Sequence, residues 1–315
     1  MKNVERNINP LRWREGFALL SVFLIWGSTF FAIKIGIEGF PPFLMAGVRF
    51  VVAGCVLYAF LRLRGAQSPS TKEWMNSALM GTLLLFFGNG FLTRAEKTVP
   101  SGLACLVNGT IPLWSAVFGR LFGRMPSSRE LFGLGIGFAG VVMLNVGGDL
   151  WTHPSGAPLI LVAAVSWAFG VAISSRLTLP QGAMASATQM MTGGTVLLLA
   201  SGLCGEHLVA MPRKSAILAL AYLIVFGSLI AYSAFTFVLS RVPVSVATSY
   251  AYVNPVVAVF LGWRFLGESI TPLMLVSGVA ILIGVALMTL QPASVKAKVE
   301  ILSDELILEK EEAVA

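Results

Sequence analysis

The sequence predicts an all-α membrane protein, with ten transmembrane helices in two inverted five-helix repeats. Three observations carry this reading. Of 315 residues, 56% are hydrophobic and 12% charged, at a mean hydropathy of +0.82, a balance that does not keep a chain of this size in water. Apolar runs of about 18 to 22 residues recur along the chain, each long enough to cross the ~30 Å hydrocarbon layer as a helix. A stretch then repeats at a spacing of 143 residues: Val99, Pro100, Ala104, Pro112, Gly119, Phe122 and Gly135 recur as Val242, Pro243, Ala247, Pro255, Gly262, Phe265 and Gly278. Chance would supply about two or three such matches, so an internal duplication is indicated.

The expected spans follow in order. Span 15–34 comes after Lys2, Arg6, Arg12 and Arg14, but it has no small-residue cleavage site and nine spans follow, so it reads as a retained anchor. It groups Trp26 with Thr29 and Phe30. Span 42–62 carries Arg49, the one charge well inside a span. Span 74–92 ends near Gly88-Asn89-Gly90, where the glycines let a backbone or a ligand come close. Span 101–120 places Cys105, Asn108, Pro112 and Ser115 on one face. Span 130–147 holds Gly133 and Gly137 at the spacing that lets helices approach, within the bundle or across a homodimer.

The second unit mirrors the first. Span 156–176 carries Trp167, 141 residues after Trp26. Span 183–203 is an apolar run without a distinguishing motif. Span 216–239 aligns Ser228, Tyr232 and Thr236 along one stripe. Span 244–263 puts Thr248, Tyr252 and Pro255 on one side, with Tyr250 and Asn254 beside them, and 272–291 closes the bundle. The expected organisation is a cytoplasmic N-terminus at 1–14, a first repeat at 15–147, a second, inverted repeat at 156–291 and a cytoplasmic tail at 292–315. That tail mixes Glu300, Asp304, Glu305, Glu309, Glu311 and Glu312 with aliphatic residues and reads as a short helix or a disordered end.

Charge distribution gives the orientation. With ten spans, the termini and the even-to-odd loops share one side, which carries fifteen Lys and Arg residues against six on the other. By the positive-inside bias both termini are cytoplasmic, in a cell membrane. The formal charge of +7 is then a topology signal and implies no nucleic-acid partner. Cys55, Cys105 and Cys204 lack disulfide or metal spacing. No cofactor is indicated. There is no Walker sequence, and no Gly-Lys dipeptide to begin one, so nucleotide-driven pumping would need a partner chain.

An odd number of helices per unit inserts the second copy upside down, the construction that lets two halves exchange conformations about a central site. Pro112 and Pro255 sit mid-span and free the carbonyls of Asn108 and Ala251. Carbonyls bared at that depth must be answered by protein, water or ligand. The candidate cavity residues are therefore Trp26, Asn89, Asn108, Pro112, Trp167, Tyr232, Tyr250, Tyr252, Asn254 and Pro255. A purely structural role, with prolines shaping helices and aromatic residues packing, is the competing reading. Arg49 would cost about 2.5–3.5 kcal/mol uncompensated at mid-membrane, so it must snorkel or find a partner. Glu96 and Glu268, both near the outer side, are candidates for an ion pair or a gate with it. His153 and His207 fall in outer loops and no Asp or Glu lies at mid-membrane. A buried proton relay thus has no carrier there, although Glu96 at the cavity mouth leaves proton antiport open.

With these features in place, the chain resembles EamA-type exporters of the drug/metabolite transporter superfamily over roughly residues 15 to 291. The resemblance rests on Ile25-Trp26-Gly27-Ser28-Thr29-Phe30, Arg49-Phe50, Gly88-Asn89-Gly90, Ala95-Glu96 with Val99-Pro100-Ser101-Gly102-Leu103-Ala104, Pro112-Leu113-Trp114, and Tyr252-Val253-Asn254-Pro255 through Leu266-Gly267-Glu268. It implies outward movement of small metabolites, often amino acids or their derivatives and sometimes toxic compounds, through a cavity between the halves. Two departures stand out. Gly-Glu follows only the second of the paired helices, the first having Gly123-Arg124-Met125. Arg94 also stands where relatives often have an aromatic. The expected function is a secondary transporter of a small-molecule solute, a monomer or homodimer in the lipid bilayer, with amino acids the leading substrate class. A proton-coupled drug exporter is the alternative, and a membrane sensor or accessory protein ranks below it. No His-Glu-x-x-His, acid pair or Ser-base set falls in the spans, so an enzyme is not expected.

Overall fold

A computed structural model describes residues 13–121, 128–146, 155–242 and 244–289, except for a few helical side chains, Tyr252 among them. The termini and the Gly123-Arg124-Met125 segment lie outside the described residues. Every described element is helical. In order they are α1 (Trp13–Gly36), α2 (Pro42–Leu63), α3 (Thr71–Ala95), α4 (Ser101–Asn108), α5 (Ile111–Leu121), α6 (Ser128–Val146), α7 (Ala157–Ser174), α8 (Ala183–Leu203), α9 (Lys214–Leu239), α10 (Val244–Ala247), α11 (Asn254–Leu266) and α12 (Pro272–Thr289).

Local chemistry sets the starts. α2 opens on Pro42, whose missing N–H costs nothing in a first turn. α3 is capped by Ser70, whose hydroxyl accepts from the Glu73 amide while the Glu73 carboxylate accepts from the Ser70 amide at 2.7 Å. Six helical runs among the described residues are long and apolar enough to cross a membrane: α1, α2, α3, Ser101–Leu121, α7 and α9. α8, expected as a span, has 21 residues but includes Ser186, Thr188, Gln189 and Thr192, which soften its hydropathy. The chain is a multi-pass membrane protein.

Two expected spans are interrupted. The run 101–120 breaks at Gly109 and Thr110, between α4 and α5, immediately before Pro112. The run 244–263 breaks into α10, a 3₁₀ turn at Ser249–Tyr252 and α11, with Pro255 in the first turn of α11. Proline cannot donate into the preceding turn, so each helix restarts at it. α3 and α9 show a second matched irregularity, π-helical stretches at Thr82–Gly90 and Leu223–Tyr232.

Packing between the halves is reciprocal. α2 lies along α8, and α6 along α12. α1 packs on the π stretch of α9 as α7 packs on that of α3, and α1 on α11 as α7 on α5. Reciprocity of this kind is what a two-fold relation between similar units produces. The tightest crossings use glycine. A Cβ at Gly81 would lie 2.6 Å from the Gln189 carbonyl oxygen, and one at Gly193 2.6 Å from that of Gly81. Gly137 faces Gly284 of α12 equally closely, so the glycine pair of α6 is used inside the bundle.

Gly193→Ala should therefore destabilise the protein by about 1–3 kcal/mol, since backbone rather than a flexible side chain must move. Gly135→Ala, on a face with nothing within 4 Å, should leave stability unchanged or raise it by up to about 1 kcal/mol. Thermal unfolding midpoints in detergent check the contrast.

Candidate functional site

The irregular segments converge on one cavity. It is lined from the first half by Trp26, Arg49, Asn89 and Asn108 and from the second by Trp167, Tyr232, Tyr250 and Asn254. Its open space, mouth included, is about 520 Å³. Asn108 ends α4 and Asn254 starts α11, so both sit at helix breaks. Asn89 lies in one π stretch and Tyr232 ends the other.

An aromatic cluster forms the floor. Trp26 meets Trp167 edge to face at 5.5 Å between ring centroids, and Tyr250 at 5.1 Å. Phe235 sits 4.9 Å from Trp26 and 5.6 Å from Trp167, so the matching tryptophans of the two halves touch through shared neighbours. Several of these groups are fixed by hydrogen bonds. Trp26 Nε1 donates to the Gly227 carbonyl at 3.3 Å, and Tyr232 donates its hydroxyl proton to Gln189 Oε1 at 2.6 Å. Trp167 Nε1 and the Tyr250 hydroxyl lie buried side by side and engage each other in a weak contact, whereas Asn254 Oδ1 is buried with no hydrogen-bond partner among the described residues. Buried polar atoms are nearly always paired, so the Asn254 oxygen left over in the lining is a place for a donor from water or a solute.

The expected residues divide by position. Pro112 lies outside this lining: it is buried at the start of α5, and its part in the site is to impose the break. Pro255 borders a smaller adjoining space with Cys105, Asn108 and Gly109. Tyr250, among the expected cavity residues, lines the cavity from the 3₁₀ turn at Ser249–Tyr252. The side chain of Tyr252 lies outside the described residues. Gln189 and Phe235 join the site without having been singled out, since an interior helix of small polar residues and one more phenylalanine carry no motif.

The expected pairing of Arg49 with an acid does not occur. Its Nε donates to Ser228 Oγ at 2.8 Å, and the guanidinium carbon lies 4.6 Å from the Phe50 ring centroid. Glu268 is committed elsewhere, accepting from the Ser101 amide at 2.7 Å, the Ser101 hydroxyl at 3.0 Å and the Gly102 amide at 3.1 Å. It caps α4 from the other half, a position it reaches because Gly267 is left-handed at φ 67°. Glu96 is fully buried, with both carboxylate oxygens unpartnered. Lys34 Nζ donates to the backbone carbonyls of Glu96 and Val99, the latter at 3.2 Å. Arg94 pairs with Glu206 at 3.4 Å, and Glu206 also accepts from the Leu44 amide at 2.9 Å, tying α2 and α3 to the loop after α8. Among the described residues, no group of three His, Cys, Asp or Glu could hold a metal ion.

The EamA-like transporter family model matches this chain twice, at residues 13–146 and 154–290. The chain belongs to the EamA-like transporter family. It is 49% identical over 274 residues to the uncharacterized inner membrane transporter YedA of Escherichia coli K12, covering 87% of this chain and 90% of that one. It is 33% identical to the uncharacterized transporter YdfC of Bacillus subtilis, over 83% and 86% of the two chains. A probable terminal-alkyne amino-acid exporter of Streptantibioticus cattleyicolor is 26% identical over 86% and 92%. One crystal structure aligns with a TM-score of 0.65 at 21% identity, over 87% of this chain and 97% of that one, a likeness of fold. The two family matches coincide with the two halves that pack reciprocally, so in this EamA-like transporter the cavity lies where the two copies meet.

Burial pushes the Glu96 carboxyl well above the usual carboxylate range; Lys34 offsets part of that rise and Glu268 adds to it. A carboxyl raised on folding contributes stability that is full below its unfolded value, about 4.3, and is lost as pH climbs toward the folded value. Glu96→Gln, neutral throughout, should thus melt near wild type at pH 4.5 and above it at pH 8. Equal midpoints at both pH values would contradict this.

Proposed function

We propose that the protein is a secondary transporter exporting small metabolites, amino acids and amphipathic compounds foremost, by alternating access through the cavity between two inverted five-helix repeats. The halves are 15–147 and 156–291 in a ten-helix bundle in the inner membrane, with both termini cytoplasmic. The observation that carries this is the site itself: a cavity built from both halves at their backbone irregularities, with the buried Asn254 oxygen left for a solute to satisfy. Reciprocal packing and the doubled family match support the two-fold construction, and the odd helix count per unit supports its inversion. The asymmetry of Lys and Arg supports the orientation.

The aromatic floor with Asn and Tyr at its edges suits a solute with an apolar body and hydrogen-bonding ends. The exporter name of the Streptantibioticus relative supports amino acids as the class. The glycine faces of α6 and α12 are used within the chain, and residues of one chain suffice for the cavity, so a monomer is the working unit. Trp26, Asn89, Asn108, Trp167, Tyr232, Tyr250 and Asn254 form the solute path, with Tyr252 assigned to it from sequence. Pro112 and Pro255 hold it open to the backbone. A second reading, proton-coupled export of drugs or toxic compounds, draws on Glu96, a buried carboxyl with unpartnered oxygens beside Lys34.

Counterflow in proteoliposomes tests the proposal. Vesicles preloaded with unlabelled amino acids should accumulate the labelled counterpart without an ion gradient, and Asn108→Ala should slow this by about tenfold or more. Accumulation that Asn108→Ala and Asn254→Ala leave unchanged would remove the cavity from the path. Exchange seen only under an imposed pH difference would replace the exchanger reading with the proton-coupled one.

A further inference from the structure

We propose that Arg49 is the receptor for a carboxylate on the transported solute, so that the cavity selects compounds bearing one anionic carboxyl group. The inference rests on the transport reading above and adds the chemical class. Arg49 is the only charged residue among those lining the cavity, and it is just 3% exposed. A guanidinium buried in a membrane protein is held by an anion or by a full set of acceptors. Arg49 has neither. Of its five N–H donors, the one on Nε is used by Ser228 Oγ, and its Nη groups make no hydrogen bond among the described residues. Among the described residues no acid reaches it: Glu268 caps α4, Glu206 pairs with Arg94, and Glu96 lies beside Lys34.

The surroundings are shaped to hold that group in place. A Cβ at position 227 would lie 2.7 Å from Arg49 Nη2, so Gly227 provides the room through which the guanidinium passes. The Ser228 bond and the Phe50 ring fix its plane. The planar fork thus left unused matches the two oxygens of a carboxylate. Charge count narrows the class further. One guanidinium with no second cation in the lining balances a carboxylate and leaves a phosphate dianion uncompensated, while it repels a cationic drug. Asn254 Oδ1 is an unpartnered acceptor in the same lining and suits a donor at the solute's other end.

The test uses the purified full-length protein and reads tryptophan emission, because Trp26 and Trp167 line the cavity. Wild type is titrated with L-leucine, L-methionine and L-phenylalanine, then with their amides and their decarboxylated amines. The acids should bind, with amides and amines weaker by about tenfold or more. Arg49→Gln should bring acid affinity down to that of the amides, and Arg49→Lys should fall between. The acid-amide contrast in wild type holds its value even if an Arg49 variant fails to fold. Amides or amines that bind within twofold of the acids, an Arg49→Gln protein with wild-type acid affinity, or no binding by any acid would each overturn the assignment. Exchange of amines as fast as acids in proteoliposomes would overturn it while leaving the transport reading intact. Acid binding that depends on Arg49, without exchange of any acid, would do the reverse.

Discussion

A backbone carbonyl or amide released at bilayer depth has no lipid partner, so every departure from regular helix must be answered inside the protein. That constraint organises this molecule. The chain departs from α-helix within its apolar runs at Gly109-Thr110, at Ser249–Tyr252 and in the π stretches of α3 and α9. Asn89, Asn108, Tyr232, Tyr250 and Asn254 all lie in or next to these segments and all line one cavity. Irregular backbone and the polar side chains of the cavity coincide because the same interior space serves both.

The same constraint explains how the halves are joined. The start of α4 is one place where the opposite half supplies hydrogen-bond partners. At α4, Glu268 crosses from the end of α11 to take two amides of a helix start, a charged acceptor placed at the positive end of a helix. Lys34 holds the carbonyls just before it. In the sequence the matching position of the first half has Met125 rather than an acid. The two halves are therefore not chemically equivalent at this position.

The helical, membrane-embedded character was legible because it is written in composition, and the breaks were legible because proline leaves one physical choice. Trp26 and Trp167 were found through the repeat, and they meet at 5.5 Å. What stayed hidden depends on geometry that sequence does not encode locally. A π stretch and an α-helix have the same apolar residues, and a 3₁₀ turn such as Ser249–Tyr252 cannot be told from a helical turn by its residues. The ion pair expected for Arg49 failed for a related reason. Charge sign suggested Glu96 or Glu268, but Glu268 is taken by the amides at the start of α4 and the Glu96 carboxylate is buried without a hydrogen-bond partner, while Arg49 is held by a serine and a phenyl ring. Gln189 was overlooked because its only distinguishing property is the tyrosine that reaches it from α9.

The central proposal is that the two halves move against each other as a solute passes, and the Ser101–Glu268 contact joins those halves. Its most direct test is a cysteine pair at Ser101 and Glu268, in a background lacking Cys55, Cys105 and Cys204, joined by a short reducible thiol cross-linker. Because these side chains are 3.0 Å apart, the account predicts efficient joining, loss of amino-acid counterflow in the joined protein and its return on reduction. Counterflow that continues at full rate while the pair is joined would contradict it.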